Sequence, residues 1–202
     1  IHPDFDWEEK NAFISAFSMK TKAGQGCYQA FVEFLASRYG AGEEKRRSLK
    51  GMIVSNEIDS QYIWGNAGEK TVEEYMEEYT QTLRLTYLAG RKYYDHLRVY
   101  VSLDHLFNIS YDQASHFDPQ PKRYYRGRQI LELLKSIHQT EGVTILMNSH
   151  NLEFSKEFSD RLIGLKDGKV VFDGNVKELT DDMTKEIYTN LSGTSESGRC
   201  LK

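Results

Sequence analysis

The chain has little of what marks several protein classes. It holds only two cysteines, Cys27 and Cys200, far apart, with the second in a polar tail. Such a pair gives no disulfide framework and leaves the redox compartment unread. No Cys-x-x-Cys or His-Glu-x-x-His spacing occurs and the six histidines are scattered, so no metal and no cofactor are expected. No apolar run approaches the roughly 18 residues of a membrane span. Basic charge is not in excess: 26 Lys and Arg stand against 30 Asp and Glu, a net charge of −4, and no nucleic-acid partner is expected. No nucleophile-elbow motif supports a Ser/His/Asp hydrolase. The chain begins at Ile1 without a charged-then-apolar leader, and its localisation is unknown from sequence. No internal repeat or low-complexity segment is visible.

What is present is a globular composition, 39% hydrophobic and 28% charged, over 202 residues, enough for one domain or one and a half. Aromatics make up 12% with 13 Tyr, which fits either a stacking surface or the core faces of helices. Residues 1–10 read as an irregular lead-in, Ala12–Phe17 as a strand and Thr21–Gly26 as a loop. Tyr28, Phe31, Val32, Leu35 and Tyr39 form one helix face stopped by Gly40. Lys45-Arg46-Arg47 reads as a solvated surface run. Met52-Ile-Val54 is a short apolar strand that runs into Asn56 and Glu57. Thr71 followed by Glu74 is a capping box opening a long amphipathic helix to about Tyr94. A second strand, Arg98–Leu103, ends in Asp104-His105, and a long polar loop covers 106–123. After a helix carrying Ile130, Leu133, Leu134 and Ile137, Val143–Met147 reads as a third strand ending in Asn148-Ser-His150. A helix over 152–159 follows. Arg161–Leu165 and Lys169–Phe172 then flank Lys166-Asp-Gly168, a strong hairpin signal, with two short helical pieces within 175–190.

Strands alternating with helices imply parallel pairing through right-handed crossovers. That places Asn56/Glu57, Asp104/His105 and Asn148/His150 on one rim, at the carboxyl ends where sites of parallel sheets collect. A carboxylate there, beside an amide and near Tyr62 and Trp64, suits proton transfer to a sugar-like ligand. The bland reading of Glu57 is a capping or ion-paired carboxylate. Trp64 is either a sugar-stacking platform or packing under the Gly65–Gly68 loop, and Asp104 and His105 line a pocket or cap a loop.

The blocks Phe31–Tyr39, Ile53–Gly68 and Val99–His105 carry a resemblance. Over residues 1–141 the chain resembles an uncharacterised bacterial family with a glycoside-hydrolase-like (β/α) barrel, and a strand ending in Asn-Glu is similar to the fourth strand of clan A glycosidases. The resemblance implies Glu57 as general acid/base and Asn56 as a contact to the sugar 2-hydroxyl. On this reading Trp64, Asp104 and His105 are the further substrate-binding residues expected, and the expected ligand is a glycan or small carbohydrate. The early barrel strands and the clan's second carboxylate have no counterpart here; Asp104 is the nearest substitute.

Gly142–His150, Asp160–Gly174 and Glu178-Leu-Thr180 carry a different resemblance, to the end of an ABC transporter ATPase of the phosphonate-import type. It implies a γ-phosphate contact for His150 and a transporter subunit as partner. The Gly-rich loop ending in Lys-Ser/Thr, the Leu-Ser-Gly-Gly signature and the Walker B Asp-Glu are absent from these residues, and without a phosphate cradle no ATPase activity is expected. The expected fold is α/β: a partial (β/α) barrel-like parallel sheet with helices, ending in a C-terminal β-hairpin. The expected segments are 1–141 (barrel-like), 142–191 (ABC-ATPase-like) and 192–202 (polar tail).

Overall fold

The structure is a computed structural model, and it describes residues 1–8, 14–40, 49–142, 144–148 and 151–188. It divides into two compact units, Ile1–Ile137 and His138–Lys202.

In the first unit, helix α1 (Lys22–Tyr39) starts earlier than the glycines at 24 and 26 suggest. The Thr21 hydroxyl accepts the Gly24 N–H at 3.0 Å and caps the helix. A Cβ at Gly24 would lie 2.2 Å from the Ser18 carbonyl, so this glycine marks a close approach and not a loop. The buried stripe of α1 is Tyr28, Val32 and Ala36, whereas Phe31 and Tyr39, expected on it, are exposed. Only residues 14–17 of the strand expected at 12–17 are described, and they make a single parallel bridge, Ser15 to Asn66. Strand β1 (Gly51–Ile53) leads through a 3-10 turn at Ile58–Ser60 into the one-turn helix α2 (Gln61–Trp64). Helix α3 (Val72–Arg91) carries the expected Thr71/Glu74 capping box. Strand β2 (Arg98–Tyr100) pairs with β1 in parallel, Met52 opposite Val99. Within the polar loop, Ser110 caps a one-turn helix, α4 (Tyr111–Ala114), before α5 (Gly127–Glu141).

The core of this unit forms where α3 lies across the two strands. Val54, Ile58, Val72, Tyr75, Met76, Tyr79, Tyr125 and Ile130 are buried together, and Val99 and Leu103 pack on them. At about 25 cal/mol per Å² of apolar surface removed from water, such a cluster is the main stabilising term. Two of the buried tyrosines have their hydroxyls bonded: Tyr79 donates to the Val54 carbonyl at 2.6 Å and Tyr125 to the Lys70 carbonyl at 3.0 Å.

In the second unit, residues 144–148 carry no strand, and Ile145 and Leu146 are exposed. A β segment needs a neighbour for its ladder, and this apolar run has none among the described residues. The three-strand rim is therefore corrected to two strands, and among the described residues the sheets are two pairs, β1–β2 and an antiparallel hairpin, with no barrel. Helix α6 (Leu152–Phe158) is capped by Asn151. The hairpin joins β3 (Arg161–Lys166) to β4 (Lys169–Asn175) through Asp167 and Gly168, both at positive φ as a two-residue turn requires. A 3-10 turn at Val176–Glu178 and helix α7 (Asp181–Tyr188) complete it. Gly164 gives α7 its seat: a Cβ there would meet the Ile187 side chain at 2.7 Å.

Candidate functional site

The carboxyl ends of β1 and β2 bring three acids, Glu57, Asp59 and Asp104, together beside the core. After β1 the backbone turns sharply, with Ser55 and Glu57 both at positive φ, 62° and 39°. Two bonds to Ser102, beyond β2, hold this turn: its hydroxyl accepts the Glu57 N–H at 2.9 Å and its carbonyl the Ile58 N–H at 3.1 Å. Positive φ is costly for a residue with a side chain and persists where the surroundings impose it. Glu57 is half-buried, and its carboxylate accepts the Trp64 indole N–H at 2.7 Å. Trp64 thus fixes the orientation of the acid with its edge. Asn56 is exposed beside it.

Asp59 is the residue sequence reasoning missed. It is 1% exposed, and its carboxylate accepts the Asp104 N–H at 2.9 Å, while its carbonyl accepts the Tyr125 N–H at 2.7 Å. It therefore ties the β1 end to the β2 end and to the segment before α5. Burial pushes its carboxyl up to about 6, and the charges of Asp104 and Glu57 add to this against the opposing backbone hydrogen bonds. Those two charges acting on Asp59 place Glu57, Asp59 and Asp104 in one electrostatic cluster. The available signal was Glu57-Ile-Asp59, two acids two residues apart where a buried strand ends.

Asp104 is nearly buried and its carboxylate accepts the His105 N–H at 2.5 Å; the exposed His105 ring folds back onto the same oxygen. Asn56, Glu57, Trp64, Asp104 and His105 all lie at or just beyond these strand ends. His150 lies outside the described residues.

A second polar cluster involves the lead-in expected to be irregular. Buried His2 meets Glu78 on α3 at 2.8 Å, and buried Lys70 meets Asp4 at 2.8 Å and Glu78 at 3.4 Å. Lys20 reaches the same two acids at 2.9 and 3.4 Å. The Lys70 and Lys20 ammonium groups bonded to it hold the Asp4 carboxyl down at about 2. Burial opposes ionisation of Glu78, but its bond to His2 and the nearby lysines bring its net shift downward. His2, Asp4 and Glu78 have potential ligand atoms within 4.8 Å of one another. The His2 ring is already committed: Nδ1 accepts the Asp4 N–H at 3.1 Å, which leaves Nε2 to donate to Glu78. With both ring nitrogens used and two ammonium groups on the carboxylates, this is an ion-pair lock on the N-terminal segment and fits a metal poorly.

Among the described residues no helix is long and apolar enough to cross a membrane. No solved structure matches the chain. The phosphonates import ATP-binding protein PhnC 2 of Halalkalibacterium halodurans is 49% identical over 62 residues, 31% of this chain and 25% of that protein. The corresponding PhnC of Staphylococcus aureus strain USA300 is 48% identical over 61 residues, 30% of this chain and 24% of that protein. The chain thus spans about a quarter of the length of the curated relatives it matches. Residues 1–150 match a family described as of unknown function, DUF5722. With that match running from the lead-in through both strand ends and α5, the chain belongs to the DUF5722 family.

Proposed function

We propose that the second unit is a docking piece of the phosphonate-import ABC type, and that its partner is the body of such an ATP-binding subunit. The carrying observation is the uncovered face of the hairpin. One face of β3–β4 seats α7 through Gly164 and Phe172. The other presents Ile163, Leu165 (63% exposed) and Val170 to solvent. Ile163 lies opposite Asp173 and Leu165 opposite Val170, so these residues form one patch. It is bordered by the two-bond Arg161–Asp173 ion pair, at 2.7 and 2.8 Å. An antiparallel pair with apolar side chains on both faces is built to be covered twice. The PhnC relatives match about 30% of this chain over about a quarter of their own length, and the cover we propose is the remaining three quarters of such a subunit. Nucleotide has no cradle in these 202 residues, so the piece contributes contact and not ATP hydrolysis.

The test is size-exclusion chromatography with light scattering on the full chain mixed with a purified phosphonate-import ATP-binding subunit. A one-to-one complex that Leu165→Asp weakens at least tenfold is expected. Separate elution at tens of micromolar of each would remove the proposal.

One observation favours a second reading for the first unit. Glu57 is oriented by Trp64 beside buried Asp59, which supports a carbohydrate site with Glu57 as proton donor and Asn56, Asp104 and His105 as sugar contacts. Calorimetry with soluble neutral oligosaccharides tests it. Binding heat and loss of turnover in Glu57→Gln are expected; no heat, and identical behaviour of the variant, would end this reading.

A further inference from the structure

At the opposite ends of the same strands lies a cleft of about 310 Å³, lined by Lys50, Tyr94, His96 and Arg98. We propose that this cleft binds a phosphate-type oxyanion, as free phosphate or as the head of a small phosphomonoester, independently of the docking reading.

The parallel pairing of β1 and β2 brings the cations together. Lys50 immediately precedes β1, Arg98 opens β2 opposite Gly51, and the Lys50 carbonyl accepts the Arg98 N–H at 3.4 Å. Gly51 is required there, because a Cβ would lie 2.4 Å from the Tyr100 ring and 2.9 Å from the Arg98 carbonyl. Tyr94 is fixed from the other side: its Cβ would sit 2.7 Å from a Cβ on Gly40, and its ring meets His96 edge-on at 6.0 Å. The wall is thus pinned by two glycine contacts while the ends of the cationic side chains face solvent.

The chemistry fits one ligand class. A guanidinium offers a fork of donors matched to two phosphate oxygens, and an ammonium adds a compact charge. An imidazole N–H supplies a further donor. Among the described residues the acid paired with these groups is Asp95, whose carboxylate lies 3.7 Å from the His96 ring, with both side chains well exposed. In a chain of net charge −4, three basic side chains around one cleft are a local reversal of sign. The volume stands at the lower end of small-molecule sites, the size of a phosphate with a small substituent. The alternative role for these cations is to offset the partial negative charge at the carboxyl ends of α1 and α3.

Amide NMR titration of the full chain separates the two. Inorganic phosphate, phenyl phosphate and sulfate are added in turn at fixed ionic strength. Saturable shifts concentrated on residues 50 and 94–98 are expected, and Arg98→Gln or Lys50→Gln should each weaken the apparent affinity roughly tenfold. Lys122→Gln, on an exposed lysine elsewhere, should leave it unchanged. Tighter binding of phenyl phosphate assigns a phosphomonoester with its ring against Tyr94, and equal or weaker binding assigns free phosphate. Shifts that do not saturate, or that survive Arg98→Gln, overturn the proposal. So does Arg98→Gln lowering the melting temperature while the titration stays as in the parent chain, which leaves the helix-end role alone.

Discussion

The two units differ in how much of their apolar surface they cover. The first packs three core tyrosines, Tyr75, Tyr79 and Tyr125, with Met76, Ile58 and Ile130 around α3, and binds its N-terminal segment with an ion-pair lock. Among the described residues of the second, the buried apolar side chains are Phe154, Phe172 and Leu179, while Ile163, Leu165, Val170, Met183 and Tyr188 stay exposed. The first has the burial expected of a unit that holds its own fold, and the second leaves a group of apolar side chains exposed. The lesson is that a short segment can keep its local geometry, caps and turn included, with little buried apolar surface of its own.

The comparison is broken most forcefully in the core. Ile58→Ala, at a fully buried position, should cost the first unit about 2–5 kcal/mol by chemical denaturation, while the hairpin amide signals of the second keep their positions. Loss of both together would mean the units are one cooperative body. Lys70→Met comes next: it leaves Asp4, Glu78 and His2 without their buried cation, and about 3 kcal/mol of destabilisation is expected, measured by the same unfolding curve. A value near zero would show that Lys20 suffices.

Asp59 sharpens the account through pH. Its carboxyl titrates near 3.8 when unfolded and about 6 when folded, so the folded protein holds the extra proton between these values. Stability from this group is complete below the lower value and is lost as pH rises through about 6, by about 3 kcal/mol in all. Asp59→Asn keeps an acceptor for the Asp104 N–H and should flatten that part of the stability–pH curve, gaining on the parent above pH 6. A parallel curve would place the titration elsewhere. The smallest effect belongs to the second unit. Leu165→Thr, at a side chain already 63% exposed, should change stability by less than about 0.5 kcal/mol.

Much of the local structure was legible. The Thr71/Glu74 box and the Asp167-Gly168 turn carry their own hydrogen-bonding and backbone requirements, and both formed as read. What was not legible depended on partners distant in sequence. Asp59 looks like a solvated acid until the Asp104 and Tyr125 N–H groups arrive to bury it. His2 lies in a lead-in whose order comes from Glu78, supplied by α3. Val143–Met147 has the composition of an inner strand, but composition does not supply the neighbouring strand. Likewise Phe31 fits the α1 periodicity, yet the packed stripe runs through Tyr28, Val32 and Ala36.

Amide hydrogen exchange on the full chain, free and with a phosphonate-import ATP-binding subunit, tests the central contrast most directly. In the free chain the α3 amides should exchange only through full opening, and those of β3 and β4 at least tenfold faster. Adding the subunit should slow the hairpin and leave α3 unchanged. Hairpin amides as protected as α3 in the free chain, or unaffected by saturating subunit, would contradict a second unit that waits for its cover.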